Sequence, residues 1–351
     1  MTRRENVLRA IRFERPEYVP MTFHINDACW KAYPQERLFE LMESHRFLFP
    51  EFERPAGSFT PDYSLVARKD EPYRDDWGCL WETSEDGITG LVTTHPLEDW
   101  SAFAGYQPPD PEHGMGIGPV DWEAEREKLG HEKEAGRPAV GGLRHGHTFL
   151  QLVDIRGYEN LMYDMADADP RLNELIAMLE DFNLAIVRKS LEAGAEIIVY
   201  PEDLGMQNGP LVSPAHFRAY IKPSYQRLMA PARVAGAIVH MHSDGYLHEL
   251  IDDIVEGGVD VINLQDLVNG IDWIAARFAG RTCVELDLDR QSVTASGSPR
   301  EIDALVGEEV AKVGRREGGV MMIFGLYPGL PMENVGAVMD AMERHAFHFS
   351  G

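Results

Sequence analysis

The stretch Ala237–Leu247, AIVHMHSDGYL, sets two imidazoles and a carboxylate two residues apart: His240, His242 and Asp244. In an extended strand alternate residues share a face, so all three point the same way. Three chemistries suit such a set. It can hold a divalent metal, work as an acid/base pair, or serve as hydrogen-bonded polar filler. Gly245 then breaks the strand, and Leu247, Leu250, Ile251 and Ile254 begin a helical period.

The elements that must position these groups show a rhythm. From about residue 137 short apolar, β-branched runs alternate with amphipathic segments. The runs are RPAVGGLRHG, AEIIVYPEDLG (195–205), AIVHMHSDG (237–245), VDVINLQD (259–266), TCVELDLD (282–289) and GGVMMIFGLYPG (318–329). Between them lie helices such as 213–236, with Ser213 as N-cap, Pro214 in the first turn and Gly236 at the end. Val19–Ile25 adds a strand after an N-terminal helix over 4–13. Strands buried on both faces and alternating with helices imply a parallel sheet with right-handed crossovers. A count approaching eight favours a closed (β/α)8 TIM-type barrel. An open doubly wound sheet is the rival, but neither GxGxxG nor GxxxxGK[ST] follows a strand. Residues 51–135, rich in Pro, Gly, Asp and aromatics, read as an elaboration with a β-hairpin between Gly78 and Thr94. The whole of 1–351 reads as one barrel domain.

In either fold ligands bind at the carboxyl ends of parallel strands. Each strand turns polar there: His24 and Asn26; Arg144 and His145; Glu202, Asp203 and then Gln207; His240, His242 and Asp244; Asn263, Gln265 and Asp266; Glu285, Asp287, Asp289 and Arg290; and Tyr327. Barrel rims are wet and tolerate polar residues, but a ring at one end points to a site. The expected metal set is His242, Asp244 and Glu202, with Asp203 as the other choice of carboxylate, Asp287 or His24 as alternates, and zinc the expected ion. The expected catalytic groups are Glu202, Asp203, His240, Asp287 and Tyr327, with His240 either in the site or orienting His242 from below. His24, Asn26, Gln207, Gln265 and Arg290 are the expected substrate contacts. The same residues can instead run acid/base chemistry without a metal.

Composition narrows the function classes. The 351 residues carry 33 Lys+Arg against 58 Asp+Glu, a formal charge of −25. No basic footprint for nucleic acid and no polybasic membrane patch is present. Three dispersed cysteines, Cys29, Cys79 and Cys283, form no CxxC pair and suggest a reducing compartment. The N-terminal segment has no apolar run that reads as a signal peptide or anchor, so a cytoplasmic setting is expected. A homodimer is the default oligomer.

RENVLRAIRFERPEYVP at the start, GAEIIVYPEDLGMQNGPLVSPAHFRAYIKPSYQRL, HSDG, EGGVDVINLQ and PMENVGAVMDAME together resemble the uroporphyrinogen decarboxylase superfamily, in its corrinoid-dependent methyltransferase branch. DDWGCLW…GITG…HPL is also similar to methyltransferase-like members. The resemblance runs over nearly the whole chain and implies a (β/α)8 barrel. Two departures matter. Uroporphyrinogen decarboxylases carry an arginine-rich segment after the first strand, and here that place reads FHINDACWKAYP. Corrinoid:thiol methyltransferases hold zinc with His-x-Cys and a distant Cys; here His242-Ser243-Asp244 and Gly325-Leu326-Tyr327 stand there, without thiolates. The resemblance therefore implies methyl transfer from a small methoxy-type substrate to a corrinoid carried by a partner protein, at an oxygen- and nitrogen-rich site. A decarboxylase or other lyase, with Arg144, Arg218 and Arg290 as a candidate anion clamp, and a non-catalytic binding protein are the alternatives.

Overall fold

The computed structural model describes residues 1–350. Ten strands run in chain order. β1 (Met21–Ile25) is followed by β2 (Tyr73–Arg74), β3 (Leu80–Glu82) and β4 (Leu91–Thr94). Then come β5 (Val140–Gly142), β6 (Ile197–Asp203), β7 (Ile238–Asp244), β8 (Val261–Gln265), β9 (Cys283–Asp287) and β10 (Val320–Leu326). β2, β3 and β4 form a small antiparallel sheet, so the expected hairpin gains a third strand. The other seven form one all-parallel sheet in the order β1-β10-β9-β8-β7-β6-β5.

That sheet curls as a TIM-type barrel does, with helices outside it. The hydrogen-bonded strands number seven rather than eight. β1 and β5, its two edges, do not pair, yet Thr22 and Val140 line one cavity, so the edges face each other across a seam. Register fixes which residues share the inner face. Pro201, His242, Asn263 and Glu285 lie side by side across β6 to β9, and so do Asp203 and Asp244, and Gln265 and Asp287.

Two apolar cores follow from this two-sided burial. Ile198, Tyr200, Val239, Met241, Ile262, Leu264, Val284, Leu286, Met322 and Phe324 face the helices in the large core. Ile197, Ile238, Val261, Cys283 and Met321 form a small inner core, closed from below by Leu8 and Ile11 of the N-terminal helix Arg3–Arg12. Burying such side chains contributes roughly 1.5–3 kcal/mol each. That helix begins at a capping box of Thr2 and Glu5 and ends at Phe13 in the left-handed region. All three cysteines are free and buried. No helix among the described residues is long and apolar enough to cross a membrane.

Candidate active site

At the carboxyl end of the strands the inner face becomes polar. β6 contributes Asp203, β7 contributes His242 and Asp244, and the turn after β5 contributes His145. Asp203 Oδ1 lies 3.3 Å from His145 Nε2 and 3.6 Å from His242 Nε2, and His242 Nε2 lies 3.7 Å from Asp244 Oδ1. The turns after β6 and β7 meet backbone to backbone. A Cβ on Gly245, whose φ is +84°, would come within 2.1 Å of the Gly205 carbonyl group, so only glycine fits there.

The tautomer of His242 follows from its other nitrogen. Asn263 Nδ2 donates to the Glu285 carbonyl oxygen at 2.8 Å, which fixes the amide and turns Asn263 Oδ1 toward His242 Nδ1. Nδ1 therefore carries the proton and donates it. Nε2 is left facing Asp203 and Asp244, where it must either carry a second proton or offer its lone pair to a cation. Burial opposes the charged imidazole. The contact with Asp203, the charges of Asp244 and Asp203, and the bond to Asn263 outweigh it and push the pKa up to about 9. Burial likewise raises Asp203, but the bonds from His145 and His242 and their charges win, holding it well below the usual carboxylate range.

These distances suit a metal. Two ligand atoms, each roughly 2.0–2.1 Å from a tetrahedral zinc, stand roughly 3.3–3.4 Å apart. The separations above are near that edge, and the two at His242 are long for direct hydrogen bonds. His145, Asp203 and His242 each offer one atom, and the three lie within 4.8 Å of one another. Asp244 Oδ1 is buried without a hydrogen-bond partner and supplies a fourth oxygen beside them.

Around the cluster stand Asp287, Arg290 and Tyr327. Arg290 reaches Asp287 Oδ2 at 3.0 Å and Asp244 Oδ2 at 3.5 Å, with its guanidinium 5.5 Å from the Tyr327 ring centre. Asp287 is buried and its Oδ1 has no partner. Burial, together with the charges of Asp244 and Asp266 and against that of Arg290, pushes its pKa up to about 7. Burial also raises Asp244.

Several expectations are corrected. Glu202 does not join His242 and Asp244. It lies on the opposite face of β6, fully buried against the helices. Its oxygens accept from the backbone N–H groups of Thr148, Phe149 and Leu150 and from Tyr225 Oη. It thus caps the helix Phe149–Arg156, and burial pushes its pKa up to about 7 despite those bonds. The partner expected at Glu202 is the next residue, Asp203, together with His145. His240 lies below the site and bonds Glu285 at 2.8 Å rather than orienting His242; Asn263 does that. Gln265 accepts from Gly245 N, and Asn26 accepts from Ala28 N, so both hold turns. Gln207 is exposed and bonds Gln291, bridging the loops after β6 and β9. His24 is exposed opposite Gly325, and the structure contradicts neither it nor Gln207 as a substrate contact. Of the arginines weighed as a clamp, Arg144 is tied to Asp154 and Gln151 and Arg218 to Asp253; only Arg290 is at the mouth.

Comparison with known proteins gives a consistent answer. Residues 94–345 match the family model of uroporphyrinogen decarboxylase (URO-D). Uroporphyrinogen decarboxylase of Thermus thermophilus is 29% identical over 178 residues, 50% of this chain and 49% of that one. That of Homo sapiens is 25% identical over 182 residues, 50% and 47%. The chain thus matches about half the length of these curated relatives. A methyltransferase from Methanosarcina mazei shares the fold, with a TM-score of 0.69 over 98% of this chain and 99% of that chain, at 18% identity.

Proposed function

This chain belongs to the uroporphyrinogen decarboxylase family, and within it we propose an enzyme that takes a methyl group from a small methoxy-type substrate and passes it to a corrinoid carried by a partner protein. The observation that carries this reading is the His145–Asp203–His242 cluster at the barrel mouth. His145, Asp203 and His242, with Asp244 alongside, would hold a divalent ion, for which zinc suits the nitrogen and oxygen donors. When bound, the ion would supply Lewis acidity toward the ether oxygen. Asn263 fixes the His242 ring so that Nε2 faces the site. Asp287, with a pKa near the working range, carries the proton that the leaving oxygen needs. The methyl–oxygen bond would break and the methyl would pass to the reduced corrinoid. The oxygen keeps the electron pair and takes the proton from Asp287. Arg290 bridges Asp287 and Asp244 and offsets part of the repulsion between them.

Porphyrinogen decarboxylation fits the site less well. A substrate with many carboxylates needs several cationic contacts, whereas the mouth presents Asp203, Asp244 and Asp287 against Arg290. The test uses metal-loaded protein, a panel of methoxy compounds and a reduced corrinoid protein. Methylcorrinoid formation, followed by its absorbance, is the expected result. No methyl transfer across the panel overturns the proposal, and carbon dioxide release from small carboxylates would put the lyase reading in its place.

A further inference from the structure

A second chamber lies at the other end of the barrel interior. Its volume is about 350 Å³, and it sits at the seam where β1 and β5 face each other without pairing. An engineered apolar cavity of about 150 Å³ accepts a benzene ring, so this one has room for a larger body. Protein interiors are otherwise packed with few voids above the size of a water molecule, and barrel interiors are ordinarily filled by branched apolar side chains. Here Val7, Ile11, Val140, Ile197, Val199 and Met321 supply apolar walls, Arg3, Thr22, Glu132 and Arg137 also line the chamber, and two further polar side chains, His240 and Glu285, project from β7 and β9. Both are mostly buried, with 12% and 15% of the side chain exposed, and they bond at 2.8 Å between Nε2 and Oε2. The pair sits two residues below His242 and Asp287 on the same strands, roughly 7 Å down the barrel.

Taking an imidazole and a carboxylate out of water costs free energy that an apolar pair of the same size avoids. Stability therefore does not account for this pair. The His240 Nε2–H occupies one carboxylate oxygen of Glu285 and leaves Oε1 without a protein partner. With 15% of its side chain exposed, Glu285 has an oxygen free to accept a hydrogen bond from a donor that enters the chamber. We propose that this chamber is a second binding site, separate from the barrel mouth, for a small and largely apolar molecule that donates one O–H or N–H to Glu285. Entry is at the amino-terminal end of the seam, past Arg3 and Arg137. The site stands on the chamber and its pair alone, whatever reaction runs at the mouth.

Titration calorimetry on the full chain with benzyl alcohol, benzylamine and toluene tests it. The two donors are expected to bind, and toluene, matched in body but without a donor, to bind roughly tenfold more weakly or less. A stronger alcohol points to a neutral hydroxyl ligand and a stronger amine to an ammonium ligand; either supports the site. Glu285→Leu should remove the preference for a donor over toluene. Should that variant fail to fold, a crystal of the unaltered protein soaked in 4-bromobenzyl alcohol decides, because anomalous scattering from bromine locates the ligand. Bromine between β1, β5 and Glu285 supports the site. Equal binding of all three probes, or a chamber that holds only water at saturating ligand, overturns it.

Discussion

Glu202 and Asp203 are neighbours in sequence, both are carboxylates, and both end the same strand. Glu202 faces the helices, accepts from three backbone N–H groups and Tyr225, and has its pKa raised to about 7. Asp203 faces the barrel interior between two histidines and is held well below the usual carboxylate range. The difference teaches that in a strand buried on both sides, one step along the chain exchanges a structural role for a chemical one. Glu202 holds the start of the helix that follows β5, and Asp203 joins His145 and His242.

The comparison breaks most readily at Asp203. Asp203→Ala should lower methyl transfer roughly a hundredfold or more while the protein stays folded, read by activity against circular dichroism. Glu202→Leu should do the reverse. It leaves three buried N–H groups without an acceptor and should cost about 3 kcal/mol or more of stability, measured as a fall in denaturant midpoint. The fraction that remains folded should keep its activity. Loss of activity in folded Glu202→Leu, with Asp203→Ala unaffected, would invert the assignment.

Asn263 sharpens the same contrast from outside the cluster. Asn263→Ala frees the His242 Nδ1–H and should lower metal affinity roughly ten- to a hundredfold, followed by competition with a chelator. Asn263→Asp restores the acceptor and should recover most of that loss.

A further contrast is in the pH dependence of the metal-free protein. Asp287 has an ordinary value of 3.8 and a folded value of about 7. Its contribution is full below 3.8 and is lost as pH climbs toward 7. His242 moves from 6.5 to about 9, so its contribution is full below 6.5 and is lost between there and 9. Stability from these two groups therefore falls as pH rises from about 4 to about 9. Asp287→Asn should flatten the lower part and His242→Gln the upper, as read by melting temperature across pH.

Much of this was legible in the sequence, and the failures have physical causes. The alternation of apolar runs with capped helices was enough for the parallel barrel, and His242-x-Asp244 fixed its own facing because polar residues at a spacing of two leave no other reading. β6 carries apolar residues on both faces, Ile197 and Val199 inward and Ile198 and Tyr200 outward. Period-two contrast therefore vanishes, and Glu202 and Asp203 could not be told apart. His145 was visible as a strand-end residue, but it reaches the site from a turn, and only the curl of the sheet brings it to Asp203. Asn263 was visible in the same way; its role depends on the register between β7 and β8, which no single strand encodes. The eighth strand was expected from the count, whereas the sheet stops at seven and leaves a seam.

The most direct test of the central claim, that the inner-face cluster is a metal centre, is metal content by mass spectrometry after purification with added zinc. One ion per unaltered chain, retained in Glu202→Gln and lost in Asp203→Ala, is the predicted result. No stoichiometric ion in the unaltered chain, or full retention in Asp203→Ala, would contradict it.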